Sequence, residues 1–175
     1  MITTLRKKLH EPELKEVLDN FLQQAMMMCK TKAGTLQLIN KANNTLEIAT
    51  SFGLSDEFIN HFRIVDCNDG SICGRALAKG KTIIIPDLTT DKFFAKHLNL
   101  ALQNNIISVQ STPLISSSNK IAGMISVHFM TPKKISKVNI PAFELFCTKA
   151  ADKIEEFTGY SSPPVNLSVS LMTNR

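Results

Sequence analysis

Residues Ile121 to Met130 alternate two kinds of side chain, and that alternation constrains the fold more than any other feature of the chain. Ile121, Gly123, Ile125, Val127 and Phe129 point one way and Ala122, Met124, Ser126, His128 and Met130 the other, because successive side chains of a strand leave opposite faces. The first set is oily and reads as core. The second mixes apolar with hydrogen-bonding groups and reads as the floor of a pocket, since ligand cavities combine apolar walls with a few polar atoms. A preceding run, Ile106 to Ile115, is joined to it by Ser116-Ser117-Ser118-Asn119-Lys120. The two are expected to pair as an antiparallel hairpin that adds Ser108, Gln110, Thr112 and Leu114 to the mixed face. The reverse assignment of the faces stays open on sequence alone.

Two amphipathic stretches can cover the oily face. Between Glu11 and Lys30 the apolar residues Leu14, Val17, Leu18, Phe21, Leu22, Ala25 and Met28 recur at steps of three and four, the period of one helix face. A last helix begins near Pro141, a residue suited to a first turn, and carries Phe143, Phe146, Ala150, Ile154 and Phe157 on one side. Between them, Thr35 to Asn40 and Leu46 with Ile48 read as a hairpin around Lys41-Ala42-Asn43-Asn44. Ser55 and Ser71 each stand where a hydroxyl can cap the free amides of a short helix, the first running to about Phe62 and the second from Ile72 to Lys79 with Gly80 as its stop. A strand from Thr82 to Ile85 follows. Phe93, Phe94, His97, Leu98, Ala101 and Leu102 then predict one amphipathic helix over Asp91 to Asn104, lying on the mixed face. The order is that of an α+β domain around a central antiparallel sheet, with the first and last helices on one face and short helices over the other.

With 175 residues, 43% hydrophobic and 20% charged, the chain has material for one core, read as residues 11–157 between an N-terminal extension, 1–10, and a loose tail, 158–175. Its apolar runs, such as Ala25 to Cys29, fall far short of the roughly 20 residues that span a membrane. Arg6, Lys7 and Lys8 have no apolar segment behind them, so no secretory leader is expected and a cytoplasmic location follows. Cys29, Cys67, Cys73 and Cys147 lack the paired spacing of zinc sites and the density of a disulfide framework, which points to reduced thiols. The net charge of +5 is scattered; its densest late cluster, Lys133, Lys134 and Lys137, has no aromatic partners for base stacking, and nucleic acid is not an expected ligand.

The segment Gly70-Ser71-Ile72-Cys73-Gly74-Arg75-Ala76-Leu77, continuing through Lys79-Gly80-Lys81 into Ile83-Ile84-Ile85-Pro86-Asp87, resembles the central signature of the GAF domain family. Val109-Gln110-Ser111-Thr112-Pro113-Leu114 and Gly123-Met124-Ile125-Ser126-Val127-His128-Phe129 are similar to the later segments of GAF domains found beside PAS domains and histidine kinases in bacterial sensors. The resemblance runs from about Glu11 to Phe157. It implies a PAS-like fold and a regulatory module that binds a small molecule or forms a homodimer, paired through its first and last helices, with a histidine kinase or other signalling protein as partner. Asn105 stands where related sequences often carry Gly, and Asn also accepts positive φ.

Candidate pocket residues are Cys73, Arg75, His97, Gln110, Thr112, Ser126 and His128; no catalytic residue, metal ligand or cofactor is assigned. Cys73 falls in the first turn of the Ser71 helix, where the dipole favours a thiolate, and its position resembles a cysteine of the free methionine sulfoxide reductases. That makes a thiol-dependent redox enzyme or sensor the alternative. Those enzymes use further cysteines after the next strand, and none stands between Gly74 and Phe146. The ordinary reading of Cys73 is a small buried apolar residue. His97 could line the pocket or sit satisfied in the core, and Arg75 with the Ser71 amides could meet an anion or simply be solvated. Cys67, His61, His97 and His128 lack a metal-ligand spacing. Only Asn40-Lys41 matches the N-K-F-D-E constellation of cyclic-nucleotide relatives, and phytochromes use domain material beyond this chain. No nucleophile elbow, Walker loop or H-E-x-x-H helix is present, so the chain is expected to be a non-catalytic sensor.

Overall fold

The computed structural model describes residues 12–132 and 140–158; the N-terminal extension, the Lys133–Lys137 cluster and residues 159–175 lie outside that range. The first helix, α1 (Pro12–Cys29), starts on a proline whose missing N–H would have been a free first-turn donor. Leu14, Leu18, Leu22 and Ala25 form its buried stripe. The chain leaves α1 through Lys30 at φ +55°, where the Lys30 and Thr31 amides donate to the Met27 and Met26 carbonyls.

Strands β1 (Ala33–Asn40) and β2 (Thr45–Phe52) form the expected hairpin. Helix α2 (Asp56–His61) begins on the Ser55 hydroxyl, which accepts from the Phe58 amide. A two-residue strand, β3 (Ile64–Val65), then pairs with Leu46 and Glu47; it is too short for any periodicity to announce. Helix α3 (Ile72–Lys79) is capped by Ser71, whose hydroxyl accepts from Gly74, and stops at Gly80 with φ +58°. Strand β4 (Ile83–Ile85), helix α4 (Leu98–Gln103), strands β5 (Ser108–Ile115) and β6 (Ile121–Phe129), and helix α5 (Ile140–Thr158) complete the chain. Asn105 has φ +56°, the geometry expected where related sequences often place Gly. Thr158 is still helical and buried, its hydroxyl donating to the Ile154 carbonyl, so α5 runs one residue past Phe157.

Every pairing is antiparallel, and the six strands run in the order β3-β2-β1-β6-β5-β4. The hairpins at the two ends of the sequence therefore meet at the centre, β1 against β6, with Thr35 opposite Ser126 and Gln37 opposite Met124. The backbones come so close that a Cβ on Gly123 would lie 2.0 Å from the Gln37 carbonyl oxygen. Helices α1 and α5 cover one face, packing with Leu36, Leu38, Leu114, Ile125, Val127 and Phe129. Each such fully buried side chain contributes about 1.5–3 kcal/mol relative to exposure. The other face carries a second cluster in which Phe58, Phe62, Ile72, Leu77, Phe94 and Ile106 lie over Val109 and Met124.

Two expectations need correction. The stretch from Asp91 to Asn104 is not one helix: 3-10 turns at Leu88–Thr90 and Ala95–His97 precede the short α4. Carboxylates set the breaks. Asp87 Oδ1 accepts from the Thr89 amide, and Asp91 Oδ1 accepts from both Phe93 and Phe94 amides, so local side-chain bonds close single turns instead of a continuous helix. Phe94 is buried as a result, whereas Phe93 is 73% exposed.

The second correction concerns β5. Gln110 stands opposite Val127, Thr112 opposite Ile125 and Leu114 opposite Gly123, and directly paired residues share a face. Ser108, Gln110, Thr112 and Leu114 consequently belong to the α1/α5 side. On the mixed face β5 instead presents Val109, Ser111 and Pro113, opposite His128, Ser126 and Met124. The alternation also slips at the start of β6, where the register shifts between Leu114 and Ile115. Ala122 there joins the α1/α5 cluster and Ile121 packs against the other.

Candidate functional site

Beneath α2, α3 and the 88–106 segment, the mixed face floors a buried cavity of about 30 Å³. Three hydroxyls cross that floor in one row. Thr35, Ser126 and Ser111 are opposite one another on β1, β6 and β5, and the two serine oxygens are 2.7 Å apart. Gln37 lies two residues along β1 from this row, and His128 two residues along β6. Phe58, Phe62 and Phe94 form the roof, the Phe58 ring meeting the His128 ring edge-on at 5.5 Å. The wall is completed by the cap of α3, Ser71 with Ile72 and Cys73.

Gln37 and His128 are 1% and 6% exposed, yet Gln37 Oε1 and His128 Nδ1 have no hydrogen-bond partner. Burial pulls the His128 imidazole down to about pKa 4, so at neutral pH it is uncharged. Among the described lining residues there is no Asp, Glu, Lys or Arg. A larger surface cleft of about 500 Å³, with Lys30, Lys32, Asn104 and Asn105 on its sides, shares only Ile106 and His128 with the cavity, which makes that pair the wall between interior and solvent.

Cys73 lines the cavity as a closed thiol. Helix-start amides and the Ser71 hydroxyl, 3.3 Å from its sulfur, favour the thiolate, but burial outweighs them and pushes the group up to about 11. The dipole argument gave the wrong sign here because the first turn of α3 is buried rather than open to water. Arg75 is not a pocket residue. Its Nη2 donates to Asp91 Oδ2 at 2.9 Å and its guanidinium sits 5.6 Å from the centre of the Phe93 ring, so it ties α3 to the loop that carries Phe94. His97 is not in the lining either. Its Nε2 donates to the Asp69 carbonyl at 2.8 Å, which leaves Nδ1 to accept from His61 Nε2 at 2.9 Å. It braces the roof from behind, with its ring 5.0 Å from Phe62 and 5.3 Å from Phe94, and burial lowers its pKa.

Gln110 and Thr112 hold the opposite face together. Gln110 Nε2 donates to Thr112 Oγ1, which lies 3.3 Å from the Thr82 hydroxyl, and Thr82 donates to Glu144 of α5. Of the seven sequence candidates, the cavity brings together Cys73, Ser126 and His128. It adds Thr35, Gln37 and Ser111, which sequence reasoning missed; the available signal was a glutamine set between Leu36 and Leu38 of β1. Asn40 is occupied in the β1–β2 turn, bonding Glu47 and the Ala42 amide. Among the described residues no three His, Cys, Asp or Glu side chains gather as a metal group, and no helix is long and apolar enough to cross a membrane.

Solved structures share this architecture. A GAF domain/HD domain protein from Geobacter sulfurreducens aligns with a TM-score of 0.69 at 15% identity, covering 87% of this chain and 97% of that one. A domain from Sinorhizobium meliloti described as part of a two-component sensor histidine kinase aligns at 0.66 and 14%, covering 81% and 90%. Free methionine-R-sulfoxide reductase from Neisseria meningitidis, solved with its substrate, aligns at 0.62 and 16%, covering 83% and 81%. At these identities the likeness is one of fold. No curated protein sequence matches the chain significantly. The sequence profile described as GAF domain matches residues 11–155, which contain every strand of the sheet, all of α1 and α5 as far as Glu155, and the chain belongs to that family.

Proposed function

We propose that this GAF domain is a non-catalytic sensory module that binds a small molecule on the mixed face of its sheet. It works as a homodimer paired through α1 and α5, and it passes the bound state to a signalling partner such as a histidine kinase. The observation that carries this reading is the buried, under-satisfied polar floor. Thr35, Gln37, Ser111, Ser126 and His128 lie beneath an aromatic roof where apolar residues would give a more stable core, since an unpaired buried polar atom costs about 1–3 kcal/mol. Such a cost is retained where a ligand relieves it.

The terminal helices support the dimer. Phe21 and Phe146 pack across α1 and α5 at 5.9 Å and stay half-buried, Leu145 is 59% exposed, and a groove between Val17, Phe21 and Lys149 runs along the outer side. The buried thiol of Cys73 argues against the redox alternative, which needs an accessible thiolate. Native mass spectrometry of the purified chain tests the proposal, with a dimer carrying a bound small molecule as the expected result. A bare dimer removes the ligand, and a bare monomer removes both parts. Turnover of free methionine sulfoxide that disappears in Cys73→Ser would replace this reading with the redox one; none is expected.

A further inference from the structure

The chemistry of the cavity narrows what it can hold. Its lining carries no formal charge among the described residues, and no Asp, Glu, Lys or Arg side chain reaches it to neutralise one brought by a ligand. An ion moved there from water would lose its hydration without a counter-charge, a far larger penalty than a neutral polar group meets. The unpartnered Gln37 Oε1 is an acceptor and calls for a donor. The unpartnered His128 Nδ1 belongs to a neutral ring and takes either role according to its tautomer. The hydroxyls of Thr35, Ser111 and Ser126 also serve in either role. Size sets the second limit. Since one water needs roughly 10–15 Å³ on this measure, about 30 Å³ accommodates only two or three water-sized groups.

We infer that the cavity is a site for a very small uncharged molecule of the primary amide or urea type, which donates an N–H to Gln37 Oε1 and lies on the Thr35–Ser126–Ser111 row under Phe58 and Phe94. The inference rests on the reading of this cavity as the ligand site and adds the chemical class. An anion such as a carboxylate has no N–H to give Gln37 Oε1, and both an anion and a cation arrive with a charge that nothing in the lining compensates.

Three molecules of one shape separate these cases: acetamide is neutral, acetate negative and acetamidinium positive. Each is titrated at neutral pH into the full-length, isotope-labelled chain while the side-chain amide signals of Gln37 are followed by NMR. Gln37 is the reporter because His128 also borders the basic surface cleft, where an anion can bind independently. Acetamide is expected to shift the Gln37 signals saturably, and the two ions to leave them at least about tenfold less responsive at equal concentration. A charged probe that matches acetamide at Gln37 overturns the neutral class but leaves a ligand site. Silence from all three at Gln37 overturns this inference, while a small molecule retained in native mass spectrometry would still uphold the sensory reading. In Gln37→Met, which keeps the length and removes the acceptor, backbone shifts at Thr35 and Ser126 on adding acetamide are expected to weaken at least about tenfold. If the variant retains its folded spectrum and responds as strongly as the parent chain, Gln37 is not the acceptor and the inference fails.

Discussion

A neutral imidazole at position 128 makes the fold sensitive to acid. Its folded pKa of about 4 lies below the ordinary 6.5, so in that window the unfolded chain takes up a proton that the folded chain refuses. Stability is full above pH 6.5, falls as pH drops through the window and levels off below about pH 4. Between pH 7 and pH 5 the loss from this residue is about 2 kcal/mol. Urea unfolding at the two pH values should show His128→Leu losing less than the parent chain by that amount; equal losses would contradict a buried, uncharged ring. The Cys73 thiol belongs to the same argument. With its pKa raised to about 11, iodoacetamide at neutral pH should leave it unmodified in the folded chain and modify it after denaturation, as mapped by peptide mass spectrometry. Ser126, His128 and the Ser71 cap could be read from the sequence because each follows from a local rule, alternation or capping. Gln37 carried only the weak signal of a glutamine between two leucines, since its importance arises from β1 lying beside β6, a pairing between segments far apart in the chain. Gln110 and Thr112 were assigned to the wrong side for the related reason that a phase of two is fixed only once the partner strand is known.

At the scale of elements, the roof is assembled from short pieces with specific ties. Helices α2 and α4 have six residues each, too few to be stable in isolation, and their persistence depends on caps and packing. Arg75 and Asp91, with side chains 18% and 9% exposed, join α3 to the 88–106 segment. Asp91→Ala leaves that cation without its partner and also removes the cap on Phe93 and Phe94, so thermal or urea unfolding should report a loss of about 3 kcal/mol or more. Gly74 is a second tie. A Cβ there would stand 2.2 Å from the Asp66 carbonyl oxygen, and Gly74→Ala is expected to cost about 2 kcal/mol by pushing the 66–70 loop off α3. A substitution without effect would mean that the loop moves aside freely. The strong helices and hairpins were evident in the sequence. The break within 91–104 was not, because hydrophobic spacing is blind to carboxylates that close single turns.

For the whole molecule, one sheet serves two unlike layers. The α1/α5 face is tightly apolar, with Leu22, Leu36, Leu114, Ile125 and Val127 at 0% exposure, and it anchors the fold. The opposite face places polar groups under a roof of small helices, an arrangement suited to opening locally while the anchored face stays intact. Hydrogen exchange resolved along the chain tests this division most directly. The account predicts that amides of α2 and the 88–106 segment exchange through local opening, orders of magnitude faster than those of α1, β1, β5, β6 and α5, which wait for global unfolding. Uniform protection across both layers, or faster exchange in α1 and α5 than in the roof, would contradict it.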